Sequence, residues 1–174
     1  MDLSEFTVAG ALVESSEGLL LVRNQRRGGY EDWSTPGGVI DADDGSLLDG
    51  LTREVEEETG LRVTSWEGPL YEVEAVAPDL GWVMRCEVHR AVDFEGEVRV
   101  ADPDGIVVEA AFVTAADAVT MIERCHPWVG EPIAEWLAEQ WGPESVRRYS
   151  YEVRGTARAE LEVTRTDRDD AVRD

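Results

Sequence analysis

The chain is poor in basic residues. It carries 16 Lys+Arg against 38 Asp+Glu, a formal net charge of −22. A field of that sign repels nucleic-acid backbones and anionic membrane surfaces, so neither a nucleic-acid polymer nor a membrane is expected as a partner. Small anionic substrates would also be repelled unless divalent cations accompany them. The alternative is that the negative charge only keeps the protein soluble, or is an adaptation to an acidic or salty cytoplasm.

The chain also lacks any long apolar run, so we expect no membrane-spanning helix. Its first five residues, Met-Asp-Leu-Ser-Glu, include neither the basic region nor the apolar core of a signal peptide. These two features predict a cytoplasmic protein.

Cysteine is scarce as well, with Cys86 and Cys125 far apart in the chain. Two distant cysteines do not make a disulfide framework, so reduced thiols are expected. Cys86 and His89 together with Cys125 and His126 could be imagined as a zinc site. That spacing lacks a second paired loop, and half-buried side chains in a strand-like run are the favoured interpretation.

The length and apolar content suffice for one folded domain. The 174 residues are 43% hydrophobic, which predicts a single domain over residues 1–166. Residues 167–174 are charged and are expected to form a frayed tail. Weak alternation of polar and apolar residues over 148–164 predicts a final strand or hairpin. The segment from about residue 143 can therefore be a hairpin added to the domain.

Strand-like and helix-like patterns interleave along the chain. The two apolar runs nearest the N-terminus are expected to pair as a hairpin. Strands are predicted at 6–13, 19–23, 63–66, 70–77, 82–91, 98–100 and 106–113, and helices at 46–59, 115–122 and 132–141. This order predicts an α/β layered fold.

The most informative stretch is residues 53–61, Arg-Glu-Val-Glu-Glu-Glu-Thr-Gly-Leu, which crowds four carboxylates into two helical turns. Ser46 can cap this helix, with Asp49 three residues on, and Gly60 is a suitable residue to end it. Like charges at helical neighbour spacing repel one another. Their concentration therefore indicates a cation that holds them.

On a helical wheel, the predicted apolar face of Leu48, Leu51 and Val55 seats the helix against a sheet. The acids divide between two other faces. Glu54, Glu57 and Glu58 are spaced i, i+3, i+4 and share one face, whereas Glu56 points to solvent. Arg53 lies one turn before Glu57 and can hold that carboxylate by a charge-assisted hydrogen bond.

Three carboxylates on one rigid turn suit Mg²⁺ or Mn²⁺, which bind through few carboxylates and complete their shell with water and substrate phosphates. Gly37-Gly38 fits the same picture, because a backbone without side chains can approach closely and a Gly37 carbonyl can join the coordination sphere. The alternatives are an acidic solvated face, or a structural acidic protein with an adventitious Ca²⁺ site. The joint pattern of Pro-Gly-Gly, capped helix and ordered acids is hard to reach by chance.

Residues 38–61 resemble the Nudix box, Gly-x5-Glu-x7-Arg-Glu-U-x-Glu-Glu-x-Gly-U, in which U is a bulky aliphatic residue. A tryptophan ahead of Pro-Gly-Gly, here Trp33, is also typical of that family. The matching positions are Arg53, Glu54, Val55, Glu57, Glu58, Gly60 and Leu61. One position departs from the motif: Asp44 stands in place of the first Glu, and the stretch to Arg53 is one residue longer. We interpret this as an insertion in the 41–45 loop, where Asp43 or Asp44 can substitute.

The resemblance implies a Nudix α/β/α sandwich around a mixed β-sheet. It further implies Mg²⁺-dependent hydrolysis of a nucleoside diphosphate linked to another moiety, with Mn²⁺ as an alternative metal. Arg53, Glu54, Glu57 and Glu58 would be the catalytic residues. Glu57 and Glu58 would bind the metal, and Glu54 would be a further ligand or would orient the attacking water. The family often uses a further acid outside the box, for which Glu109 is the best candidate.

Substrate choice lies outside the box, where the signals are weaker. Nucleoside triphosphates, oxidised nucleotides and ADP-ribose-like compounds all remain open; Pro78 hints at the last but is as easily a turn residue. Some side chains outside the box could stack on a base or meet a distal phosphate, but core or interface packing is the favoured interpretation for the aromatic residues, and a solvated loop for the arginines. These candidate substrate-binding residues are Tyr71, Trp82 and Phe94 for stacking, and Arg23, Arg26 and Arg27 for phosphate.

Two further expectations come from the same resemblance. Dimers are common in the family, so a homodimer is compatible with this chain. The alternative function is a Nudix module that senses a nucleotide without hydrolysing it. Such modules usually lose box carboxylates, which this chain keeps.

Overall fold

The computed structural model describes residues 2–167. Within that range the chain forms ten β-strands and three α-helices. In chain order they are β1 Ser4–Leu12, β2 Glu14–Ser15, β3 Gly18–Gln25, β4 Glu31–Ser34, β5 Gly37–Val39, α1 Leu47–Thr59, β6 Arg62–Ala77, β7 Trp82–Glu95, β8 Val107–Val113, α2 Ala115–Ile122, α3 Pro127–Glu139, β9 Arg147–Arg154 and β10 Glu162–Arg165.

The strands form two sheets. The larger has the order β10-β9-β6-β7-β1-β5, and the smaller is built on β3, which pairs with β2, β4 and β8. Strand β1 runs parallel to β7, and β6 runs parallel to β9, whereas the other pairs are antiparallel. The predicted α/β fold with a mixed sheet is therefore confirmed.

Alternate residues of β1 and β3 face two separate hydrophobic cores. Ala11 and Leu20 pack in a core that includes Leu51 of α1. Leu12 and Leu21 face the opposite core, which includes residues of α2 and α3. Both faces of these strands are covered, which explains their continuous apolar runs. The result is a three-layered α/β/α arrangement.

The predicted hairpin between residues 6–13 and 19–23 is wrong. Strand β1 pairs with β5 and β7, whereas β3 lies in the other sheet, where it pairs with β4, β8 and the two-residue strand β2 that follows β1. The chain changes sheets at Val13, whose carbonyl accepts the Leu20 N–H at 2.8 Å. Strands that are buried on both faces show no alternation of polar and apolar residues. Their sequences therefore do not indicate which neighbouring strand they pair with.

Two other boundaries differ from the prediction. Residues 98–100 form no strand, because the Arg99 N–H donates to the Thr59 carbonyl at 2.7 Å at the end of α1 instead of to a neighbouring strand. Helix α3 begins at Pro127, a favourable first-turn residue, and so starts before the predicted position 132. Pro132, the predicted first residue, lies inside that helix.

The C-terminal hairpin of β9 and β10 extends the larger sheet from β6 and packs on α3. Tyr149 and Tyr151 are each 2% exposed. Their hydroxyls donate to Glu135 and Glu131 of α3, both at 2.9 Å. The hairpin thus shares the core with the rest of the chain. Of the predicted frayed tail, positions 168–174 lie outside the described residues.

No helix within residues 2–167 combines the length and the apolar character needed to cross a membrane.

Replacing Tyr151 by alanine should lower the free energy of unfolding of the whole chain by about 3 kcal/mol or more, because a buried aromatic side chain leaves a cavity. The exposed neighbour Glu152 provides the control, and Glu152→Ala should change it by less than about 0.5 kcal/mol. Urea unfolding followed by tryptophan fluorescence measures both. A main transition unmoved by Tyr151→Ala would mean that the hairpin folds separately, against the single domain predicted.

Candidate functional site

Helix α1 carries the candidate site, and its two ends are defined by local signals. Oγ of Ser46 accepts a hydrogen bond from the Asp49 N–H at 3.1 Å, which caps the first turn. Gly60 follows the last turn in left-handed backbone, with φ 77°, and its N–H donates to the Glu56 carbonyl at 2.9 Å. The predicted apolar face is buried or half-buried, and the Glu56 side chain is exposed. The predicted orientation of these two faces is confirmed.

Strand β5 has no side chains where it meets α1. The Gly37 N–H donates to Oε2 of Glu58 at 3.0 Å. A Cβ at Gly37, where φ is 147°, would lie 2.1 Å from the Ala9 carbonyl oxygen, so only glycine fits. A Cβ at Gly38 would lie 2.8 Å from the carboxyl carbon of Glu54. The Gly-Gly pair therefore lets a backbone lie directly against the acidic face.

The Glu58 side chain is a buried carboxylate in an acidic neighbourhood. Burial, helped by the nearby Glu54 and Asp102 carboxylates and opposed by the Gly37 N–H, raises its pKa to about 8. Burial also raises the pKa of Glu54, with Arg53 acting in the opposite direction. This face of the helix therefore holds more negative charge than its own cations compensate.

Arg53 organises the outer part of the acidic face. Its Nε and Nη2 donate to the two Asp44 oxygens at 2.9 and 3.0 Å, and Nη1 reaches Glu54 at 3.0 Å and Glu57 at 3.3 Å. Hydrogen bonding to Arg53 lowers the pKa of Asp44. Asp44 also accepts the Asp41 N–H at 2.9 Å. Of the two substitutes that the sequence left open, Asp44 makes the ion pair.

The donor atoms of this face fit a divalent cation. They are carboxylate oxygens, the ligands that hard cations prefer, and they carry uncompensated charge. Within residues 2–167, no three Asp, Glu, His or Cys side chains already converge as a chelate. Arg53 donates to Oε1 of Glu54 and Oε2 of Glu57, so a cation would bind these carboxylates through their other oxygens. The metal-binding roles of Gly37, Glu54, Glu57 and Glu58 stay predictions.

Glu109 is engaged elsewhere. Arg23 Nε donates to its carboxylate at 2.9 Å, and the same guanidinium donates to both Glu31 oxygens at 3.0 Å. Asp102, which the sequence reasoning missed, is the acid outside the box whose charge acts on Glu58. Its carboxylate accepts three backbone N–H groups of its own loop. The sequence feature that could have indicated Asp102 is the Asp-Pro-Asp-Gly turn between two predicted strands.

A cavity of about 360 Å³ lies on the other side of the Gly37–Gly38 backbone. Its walls are mostly apolar and come from β1, β6, β7 and α3, with the rings of His126 and Trp128 stacked at 4.1 Å. Its polar end is formed by Arg26, Asp32 and Arg158. The Gly37–Gly38 backbone therefore lies between the acidic face and this cavity.

Some of the predicted substrate-binding residues line the cavity, and others lie away from it. Tyr71 lines the cavity, although its side chain is almost fully buried. Trp82 packs against Phe6 and Trp128, and Arg23 is held in its ion pairs. Arg27 lies on an exposed turn. The roles of all four in substrate binding stay predictions, whereas Arg26, the third arginine of that group, lines the cavity.

The two cysteines are placed as half-buried side chains. The Cys125 Sγ donates to the Trp33 carbonyl, and burial raises the pKa of both thiols to about 12. The thiols are therefore neutral at neutral pH and poor metal ligands as they stand. His89 contacts Glu87 rather than Cys86.

The raised pKa of Glu58 makes stability depend on pH when no metal is bound. The folded chain keeps a proton up to about pH 8 that the unfolded chain loses near the ordinary value of 4.5. The resulting stabilisation is complete below pH 4.5 and is lost as the pH rises to about 8. In EDTA we expect Glu58→Gln to remove roughly 3–5 kcal/mol of this pH dependence. Urea midpoints between pH 5 and pH 9, as test conditions, measure it.

The matched control is Glu56→Gln, because Glu56 lies on the same helix two residues before Glu58 and its side chain is exposed. It should keep the wild-type profile. Parallel profiles for the wild-type and Glu58→Gln proteins would show that burial does not hold a proton on Glu58.

Comparison with known proteins places this geometry in a family. A sequence model of the NUDIX domain matches residues 5–137. A MutT-like protein of Streptomyces ambofaciens is 41% identical over 131 residues, which are 73% of this chain and 82% of that protein. The C-terminal hairpin lies beyond the matched domain.

Solved structures share the fold. A MutT NUDIX hydrolase from Burkholderia pseudomallei is 25% identical with a TM-score of 0.56, covering 65% of this chain and 85% of its own. A MutT protein from Bacillus halodurans is 22% identical with a TM-score of 0.63, covering 92% and 97%. The chain therefore belongs to the Nudix hydrolase family, whose enzymes act on pyrophosphate bonds in phosphorus-containing substrates and generally use divalent metal ions.

Proposed function

We propose that this chain hydrolyses the pyrophosphate bond of a nucleoside diphosphate linked to another moiety, with Mg²⁺ or Mn²⁺ as its metal. The substrate is a nucleoside triphosphate, an oxidised nucleotide or an ADP-ribose-like compound. The observation that carries the proposal is the contact of Gly37 with Glu58, which puts an acidic face and a cavity on the two sides of one strand.

The metal would be held by Glu54, Glu57 and Glu58. When bound, such an ion neutralises phosphoryl oxygens and lowers the pKa of a water that attacks phosphorus. Glu58 has to give up the proton that burial favours near neutral pH. The chain also has to accept an anionic substrate despite its charge of −22, which makes an accompanying cation necessary.

Arg53 is a positioning residue in this proposal. Its fork holds Glu54 and Glu57 while Asp44 holds the fork from the other side. Because both Nε and Nη2 are committed to Asp44, the guanidinium plane is fixed. The carboxylates are thereby aimed before substrate arrives, which reduces the reorganisation that catalysis would otherwise require.

The cavity suits the nucleoside part of the substrate. Flat apolar and aromatic walls accept a base of any identity by stacking, and the polar end offers donors for its edge. The phosphate chain would leave the cavity past Gly37 and Gly38, where backbone without side chains permits close approach. The family's substrates are small nucleotides, which suits a cavity of this size.

A homodimer and a cytoplasmic location stay predictions.

Glu57→Gln should reduce kcat by about 100-fold or more with Mg²⁺, because it removes a carboxylate charge from the acidic face. Glu56→Gln, the adjacent exposed position, should retain wild-type activity. Product analysis across nucleoside triphosphates, oxidised nucleotides, ADP-ribose and dinucleotides measures both and shows which phosphorus is attacked. No turnover of any member by the wild-type protein, or full activity of Glu57→Gln, would overturn the proposal.

Asp44→Asn should lower kcat by about 10- to 100-fold with little change in KM, because it releases the Arg53 fork that aims the carboxylates. Asp43→Asn, the neighbouring acid in the same loop, is the control and should behave as wild type. Steady-state kinetics distinguish the two. Equal effects of both substitutions would show that loop charge matters rather than the Arg53 contact.

A further inference from the structure

The C-terminal hairpin reaches the cavity through the turn between its strands. Residues Arg158–Glu160 form a short 3₁₀ turn there, and Arg158 lines the polar end of the cavity. An Arg158 Nη2 lies 3.5 Å from Oδ2 of Asp32. Arg158 therefore connects a segment outside the matched family domain with the space proposed for the nucleoside.

Asp32 does not need Arg158 as its counter-ion. It is only 4% exposed, and it accepts hydrogen bonds from Asn24 at 2.9 Å and from Nε and Nη2 of Arg26 at 3.2 Å. Arg26 alone balances its charge. Burial lowers the pKa of His126, with Arg158 acting in the same direction, so this imidazole is neutral at neutral pH. Two guanidiniums thus face one carboxylate, an excess of positive charge in a strongly acidic protein.

The Arg158 guanidinium is held in place while keeping donors for a ligand. Its Cζ lies 4.1 Å from the centroid of the Tyr30 ring, and the Tyr30 hydroxyl donates to the Arg124 carbonyl. Stacking on an anchored ring fixes the guanidinium plane. Its hydrogen bond to Asp32 is long and uses one of five N–H donors. Within residues 2–167 its other donors make no further hydrogen bond, and the side chain is 44% exposed at the mouth of the cavity.

We propose that Arg158 is a specificity-determining residue that donates hydrogen bonds to an oxygen acceptor on the part of the nucleotide inside the cavity. The acceptor is either a carbonyl of the base or an oxygen of a second phosphate, since a guanidinium fork recognises both. The inference rests on the proposed function for the position of the substrate. It adds a residue that lies 126 positions from Asp32 in the chain.

The test uses two ligand pairs that differ in the acceptor. GTP carries a base carbonyl where ATP carries an amino group, and NADP⁺ carries a phosphate that NAD⁺ lacks. For each, KM and kcat are measured with Mg²⁺, and calorimetric dissociation constants are measured with Ca²⁺ to separate binding from turnover. The proteins are wild type, Arg158→Gln, Arg158→Lys and Arg154→Gln. Arg154 is a matched control because it lies on the same hairpin and pairs outside the cavity with Glu152 and Asp79.

Arg158→Gln should raise KM and Kd about 10-fold or more for the acceptor-bearing member of one pair, with kcat nearly unchanged. Loss confined to GTP identifies a base carbonyl, and loss confined to NADP⁺ identifies a phosphate. Arg158→Lys keeps a charge near Asp32 and should retain the wild-type Tm, yet it should not restore full discrimination because it lacks the fork. Arg154→Gln should match wild type.

Other outcomes overturn the inference. Unchanged KM and Kd in Arg158→Gln for all four ligands, while wild type turns over at least one, would sink it and leave the proposed function standing. An equal loss for both members of each pair would assign Arg158 a structural role only. Failure of wild type to bind any of the four would also overturn it. Binding without turnover would instead remove the proposed function, and Arg158 would be judged on Kd alone.

Discussion

The contact between the Gly37 N–H and the buried Glu58 carboxylate is the interaction on which the site depends. It requires a strand without side chains on one partner and a carboxylate carried inward by a buried helix on the other. Burying that carboxylate among other acids is unfavourable, as its pKa near 8 indicates. A cation bound at this carboxylate would offset that cost, a pattern expected of functional sites.

The helix and the loop before it act as one unit. Asp44 and Arg53 form a two-pronged ion pair that closes the 41–45 loop onto α1. The aspartate of the longer loop thus makes this ion pair where the motif has a glutamate. The same guanidinium reaches Glu54 and Glu57, so one side chain connects the loop with both carboxylates.

The parts of the fold that depend on local signals could be predicted from the sequence. Helix α1 shows this best, since Ser46, Gly60 and the apolar face specify its ends and its rotation within a few residues of chain. Sheet pairing could not be predicted, because β1 finds its parallel neighbour β7 across a long stretch of chain and its apolar run has no alternation. Glu109 followed the family order, yet the cross-strand Arg23 holds its carboxylate. Nothing near Arg158 in the chain indicates Asp32, so the polar end of the cavity needed the structure.

In the proposed site a divalent cation would take the place of the proton on Glu58. Calorimetric titration of the wild-type chain with Mg²⁺ at pH 7, in buffers of different ionisation enthalpy, counts the protons released on binding. We expect release of about one proton per ion, absent in Glu58→Gln, because a ligating carboxylate has to be deprotonated. Magnesium binding without proton release, or equal release from Glu58→Gln, would contradict it.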